Sequence, residues 1–198
     1  MALMKAGRIV PDPWVRVADA DALPDDGQPA LVGLARWRAE RETLERHNGP
    51  LGILLRADEP PSPIADALDR FDLVALDFPR FNDGRAYSSA RILRTRLGFT
   101  GELRAVGDVL RDQIPFMLRC GFDSFEVADP DAADAWAGTS EIGVAYQAAA
   151  DARTPVAALR HAASRTPLPP AGEHRPLRRP VAAPVPAARP CCAGDWAY

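Results

Sequence analysis

Five short apolar runs, at residues 30–35, 51–55, 73–76, 103–106 and 124–127, recur between positions 29 and 150 with helix-like segments between them. No other feature constrains the chain as much, because apolar runs of strand length alternating with helical spacing are the pattern of β-strand, crossover helix, β-strand. The predicted fold class is α/β, with about five βα units forming a parallel sheet, either a doubly wound open sheet or a partial barrel. The helices between the strands are punctuated. One over 36–47 ends at Asn48-Gly49-Pro50, and Ser62-Pro63 offers an N-cap with proline at the first helical position. Ser88 or Ser89 caps a helix that stops at Gly98, and another over 109–120 stops at Gly121.

An internal echo supports this reading. The stretch from Arg96-Leu97-Gly98-Phe99 to Gly107-Asp108 repeats in outline as Arg119-Cys120-Gly121-Phe122 to Ala128-Asp129: a helix end, a glycine stop, a phenylalanine, a strand, then aspartate. Right-handed crossovers put both aspartates on the same edge of the sheet. Residues 1–28, with Pro11, Pro13 and Pro24, read as a lead-in with a short edge strand around 14–17; residues 29–150 form the α/β domain.

Residues 151–198 read as a disordered tail rich in proline, alanine and arginine, after a short helical piece at 156–163, because such a stretch buries too little apolar area to offset its ordering entropy. It ends in Cys191-Cys192 followed by Trp196 and Tyr198, which suits either a swinging dithiol or docking peptide, or an extension without a role of its own. Charge divides the same way. Residues 153–198 carry seven Arg against Glu173 and Asp195, net +5, so the remainder is net −8. An acidic body argues against nucleic acid as a partner, since phosphate neutralisation supplies most of that affinity. No apolar run approaches the roughly 18 residues of a membrane span, and no apolar signal core opens the chain, so the expected location is the cytoplasm, with no membrane partner.

The sequence lacks G-x-G-x-x-G after a strand, the G-x-x-x-x-G-K-[ST] phosphate loop, C-x-x-C and H-E-x-x-H. His47 and Cys120 are the only histidine and cysteine before the tail, too few for a zinc site, a thiolate-held iron–sulfur cluster or a Ser-His-Asp triad in this body. No cofactor is evident. Cys120, at a helix C-terminus where the dipole disfavours a thiolate, reads as packing.

What remains follows the strands, where ligands bind in α/β sheets. The polar loop Asp77-Phe78-Pro79-Arg80-Phe81-Asn82-Asp83-Gly84-Arg85 leads into Tyr87-Ser88-Ser89-Ala90-Arg91, and a second loop is Gly107-Asp108-Val109-Leu110-Arg111-Asp112-Gln113. If the two loops face one crevice, Arg80, Arg85, Arg91 and Arg111 can bind an oxyanion near the helix N-terminus at Ser88. Tyr87 and Ser88 would then donate hydrogen bonds, with Asp83 and Asp108 orienting the guanidinium groups. Sulfite, sulfate, phosphate or a carboxylate fits such a set. The same residues also suit a plainer role, with aspartates as turn caps and Arg91 and Arg94 as solvated or ion-paired helix residues.

The string from Phe78 to Arg94, followed by Gly101-Glu102-Leu103-Arg104-Ala105-Val106-Gly107-Asp108-Val109-Leu110-Arg111-Asp112-Gln113 and Arg119-Cys120-Gly121-Phe122-Asp123, resembles the bacterial domain-of-unknown-function 934 family over roughly residues 30–150. Members are commonly described as oxidoreductases of sulfite reduction, chiefly because they are encoded beside assimilatory sulfite reductase and the enzymes that reduce activated sulfate. The resemblance implies an accessory of assimilatory sulfate reduction that binds a small sulfur oxyanion or docks on sulfite reductase. It leaves open an oxidoreductase with a noncovalently bound cofactor, or a purely structural partner. The tail and Cys191-Cys192 lie outside the matching pattern.

Overall fold

A computed structural model describes residues 1–24, 27–128, 149–150, 154–156 and 158–160 of the chain. Eight strands form one sheet: β1 (Ala2–Lys5), β2 (Arg8–Val10), β3 (Val15–Val17), β4 (Ala30–Gly33), β5 (Leu51–Leu55), β6 (Leu73–Phe78), β7 (Glu102–Gly107) and β8 (Ser124–Val127). Their spatial order is β2-β1-β8-β7-β6-β5-β4-β3. From β3 to β8 neighbours in sequence are parallel neighbours in space, while β1 pairs antiparallel with both β8 and β2.

The strands are joined by α1 (Leu34–Ala39) and α2 (Arg41–Glu45), a 3₁₀ segment Ser62–Arg70, α3 (Arg85–Thr95), a 3₁₀ turn Arg111–Gln113 and α4 (Ile114–Cys120). Side chains alternate across the sheet. One face, with Val32, Ile53, Val74, Leu76, Phe78, Leu103 and Phe125, packs with Leu34, Trp37, Ile64, Ala90, Leu93, Ile114 and Met117 of the connecting segments. The other face gathers Leu31, Leu73, Ala75 and Val106 with Trp14 and Leu54, and no helical residue. Helical connections confined to one face, with no reversal in the parallel order, correct the doubly wound alternative: the chain forms a curled half-barrel.

Two contacts show how far the sheet curls. Arg16 on β3 and Glu126 on β8 stand five strand positions apart, about 24 Å in a flat sheet at the usual spacing of about 4.8 Å. Yet Arg16 Nη2 donates to Glu126 Oε1 at 2.5 Å. The two sheet edges, β2 and β3, are joined by Pro11–Trp14 alone, a link that spans at most about 18 Å where a flat sheet would require about 34 Å. This link crosses the concave face and lays Trp14 on it, with Gly52 leaving the room: a Cβ there would stand 3.0 Å from the Trp14 ring.

Other expectations are corrected in detail. Residues 2–17 supply three strands of the sheet, not only an edge strand. The helix expected over 36–47 breaks at Glu40, where φ is −123°. Helix α3 starts at Arg85 with Gly84 before it, so neither Ser88 nor Ser89 is its cap. Four connections carry helical segments between β4 and β8, and a fifth unit after β8 lies outside the described residues, as do Asp129, Cys191, Cys192 and most of the expected tail. Residues 156 and 158–160 are helical. Among the described residues no helix is long and apolar enough to cross a membrane.

Candidate functional site

Parallel strands leave their C-terminal ends at one rim, where loops of β/α folds carry their chemistry. The two loops singled out in the sequence follow β6 and β7 and are tied together there. Asp108 Oδ2 accepts a hydrogen bond from the Phe81 amide at 2.9 Å, and Gln113 Nε2 donates to the Phe81 carbonyl at 2.6 Å. Asp108 thus holds the backbone of the first loop, and among the described residues it pairs with no guanidinium. Gly107 makes the junction possible, since its φ is +92° and a Cβ would collide with the Phe78 carbonyl and come within 2.8 Å of Asp77 Oδ1.

The first loop forms an open cleft of about 550 Å³ lined by Pro79, Arg80, Asn82, Asp83, Gly84 and Arg85. Asp83 grips Arg85, accepting from Nε at 3.0 Å and from Nη2 at 2.6 Å, and also from the Arg85 amide at 3.2 Å. Those hydrogen bonds hold the Asp83 carboxyl down at about 2. Arg80, Arg91 and Arg111 are exposed and make no ion pair with a described residue. Arg111 opens the 3₁₀ turn of the second loop, but Arg91 is six residues into α3, about 9 Å down its axis from Arg85. Ser88 is exposed in the fourth position of α3, inside the helix and away from its N-terminal end. Tyr87 packs its ring 5.1 Å from Phe78 and 5.0 Å from Phe116, and burial raises its pKa, so it is chiefly a wedge between β6 and α4.

Arg94 is structural. Its guanidinium donates to the carbonyls of Phe99, Gly101 and Gly121 and to the Asp123 carboxylate, joining the two echoed units at their glycine stops. Cys120 is buried, and burial raises its thiol pKa, in keeping with packing.

Sequence reading missed the charged groups of the concave face. Arg104 on β7 is fully buried and donates to both Asp12 oxygens at 2.9 and 3.0 Å and to Glu102 Oε1 at 2.9 Å. Glu102 also accepts from Ser124 Oγ at 2.6 Å and Lys5 Nζ at 2.7 Å. Burial opposes its ionisation, but the hydrogen bonds from Lys5, Ser124 and Arg104 prevail and hold its pKa below the ordinary value. This network ties the β2–β3 link to the sheet. Nearer the rim lie Asp77, Arg56, Arg16 and Glu126. The one available signal was period two: Glu102 and Arg104, then Ser124 and Glu126, put polar groups at every second strand position.

The family model described as a bacterial protein of unknown function (DUF934) matches residues 52–157, just over half of the chain. The chain belongs to that family. The DUF934 match takes in both rim loops, Asp77, Arg104 and Glu126, and leaves outside it the strands β1 to β4 with Asp12 and Arg16. No curated protein matches the chain.

Proposed function

We propose that this DUF934 protein is an accessory of assimilatory sulfate and sulfite reduction that binds a small oxyanion at the rim loops, without a redox centre of its own. The observation that carries the reading is the cleft beside Arg80 and Arg85 at the C-terminal ends of the strands, with the Arg80 guanidinium exposed and without an ionic partner among the described residues. The sulfur pathway enters through the family resemblance, and sulfite or sulfate is the corresponding ligand class.

A second feature favours docking on sulfite reductase through the same rim. Phe81 and Leu110, one from each loop, and Phe116 on α4 are exposed at 52%, 38% and 57%. Large apolar side chains gathered beside arginines suit a protein contact. A colourless purified protein agrees with the accessory reading; a flavin spectrum would favour the alternative, an oxidoreductase with a noncovalently bound cofactor.

The direct test is thermal stabilisation by sulfite, sulfate and phosphate, in the parent protein and in Arg80→Ala and Arg85→Ala. Stabilisation of the parent that both variants lose supports the reading. Equal stabilisation of all three proteins would remove the cleft as the site.

A further inference from the structure

The turn that opens the rim cleft sets one carboxylate among its arginines. The Asp83 amide donates to the Arg80 carbonyl at 3.0 Å, so residues 80–83 form a tight turn whose ends lie within about 7 Å of each other. Asp108 and Gln113 pin that turn through the Phe81 amide and carbonyl. Arg80, Asn82, Asp83 and Arg85 thus line one cleft on a held backbone. Arg85 is ion-paired there but not used up. Its side-chain bonds to Asp83 run through Nε and Nη2, and Nη1 has no partner among the described residues. Arg80 is exposed and has no ionic partner among them.

Asp83 decides what these donors can hold. Its side chain is only 18% exposed, and the Arg85 amide, Nε and Nη2 fill three of the about four acceptor sites of a carboxylate. The remaining site belongs to the cleft that Asp83 lines. The bonds from Arg85 keep the carboxyl ionised, and an ionised carboxylate accepts hydrogen bonds without donating any. An anion entering the cleft therefore meets guanidinium donors that suit every oxyanion, beside an acceptor that repels an oxyanion without a proton. An oxyanion that keeps an O–H turns this repulsion into a charge-assisted hydrogen bond.

We propose that Asp83 sets the specificity of the rim cleft: Arg80 and Nη1 of Arg85 hold the charge of the anion, and the Asp83 carboxylate accepts the O–H of a protonated oxyanion, so hydrogen sulfite or hydrogen phosphate binds and sulfate is rejected. The inference rests on the anion cleft proposed above and narrows its ligand class. Under the sulfur assignment, the cleft admits the anion that sulfite reduction consumes and excludes the more oxidised one.

Sulfate and hydrogen phosphate isolate the effect, since in mild alkali both are tetrahedral dianions of similar size and they differ by one proton. The experiment is calorimetric titration of the full chain with phosphate, sulfate and, without air, sulfite, at about pH 6 and about pH 8, a window in which the arginine and aspartate side chains of the cleft do not titrate. At the higher pH the parent should bind phosphate at least about tenfold more tightly than sulfate. Its affinity for sulfite should fall between the two pH values as hydrogen sulfite loses its proton. Asp83→Asn, of the same size but uncharged, should remove the preference for phosphate over sulfate. The ratio is the readout, because loss of the Arg85 ion pair by itself shifts the affinity for both anions together. Sulfate bound as tightly as phosphate by the parent, or the same preference kept by Asp83→Asn, would overturn the proposal and leave the anion cleft standing. Binding of none of the three anions, or phosphate affinity unchanged in Arg80→Ala, would remove the cleft as well. Where the preference holds, tighter binding of sulfite than of phosphate at the lower pH identifies hydrogen sulfite as the ligand, and the reverse order identifies hydrogen phosphate and counts against the sulfur assignment.

Discussion

Arg16 and Glu126, 110 residues apart in the chain and five strands apart in the sheet, meet at 2.5 Å and hold the half-barrel curled. Glu126 is buried, while the Arg16 side chain is about half exposed. Replacing Arg16 with glutamine leaves a buried carboxylate without its cation, and the expected loss is about 1–2 kcal/mol, below the range for a fully buried pair because solvent screens the arginine. Urea unfolding of Arg16→Gln, Glu126→Gln and the double variant would measure it, and the double variant should lose less than the sum of the two.

Arg104→Gln should be more damaging, by about 3–5 kcal/mol, because the fully buried guanidinium is the shared partner of Asp12 and Glu102. The same denaturation experiment gives the number. A loss under about 1 kcal/mol would show that the β2–β3 link holds to the sheet through Trp14 alone.

Glu102 makes this network sensitive to acid. Its pKa lies below the ordinary 4.5, so its contribution to stability is present above that value and is lost as pH falls through the lower, folded-state value. Melting temperatures of the parent and Glu102→Gln should therefore differ most near neutrality and converge in acid.

Asp77 has the opposite sign. A carboxyl with a raised pKa binds its proton more tightly when folded, so its favourable contribution exists at low pH and disappears as pH rises through the folded-state value. Asp77→Asn should consequently melt higher than the parent at neutral pH, with the difference vanishing in acid. A lower melting temperature at neutral pH would mean that the ionised carboxylate is a structural partner.

Gly107→Ala should cost more than about 2 kcal/mol, combining a left-handed backbone with a collision against Phe78. Its melting temperature beside that of Gly98→Ala separates the two causes: Gly98 shares the positive φ, but nothing lies within 4 Å of its Cβ position.

The five apolar runs found their strands because core-facing Val32, Ile53, Val74, Leu103 and Phe125 enforce them locally. Helix starts were less legible: Ser88 looks like a cap, yet Gly84 precedes α3 with no side-chain cap at all. Strands β1 and β2, with four and three residues and a turn at Ala6-Gly7, are too short for a periodic signal. The loop pair was readable because both loops follow strong strands, whereas Arg16 and Glu126 lie 110 residues and five strand positions apart and meet only when the sheet curls. Arg104 and Glu102 escaped the sequence reading for the same reason: alternation reveals two faces but not which one closes on itself.

A part in sulfite reduction exercised through the rim arginines is tested most directly by growth of a strain lacking the protein on sulfate, sulfite or sulfide as sole sulfur source, complemented with the parent, Arg80→Ala or Arg85→Ala. The expected result is failure on sulfate and sulfite, rescue by sulfide, restoration by the parent and no restoration by either variant. Normal growth of the deletion strain on all three sources, or full complementation by both variants, would contradict it.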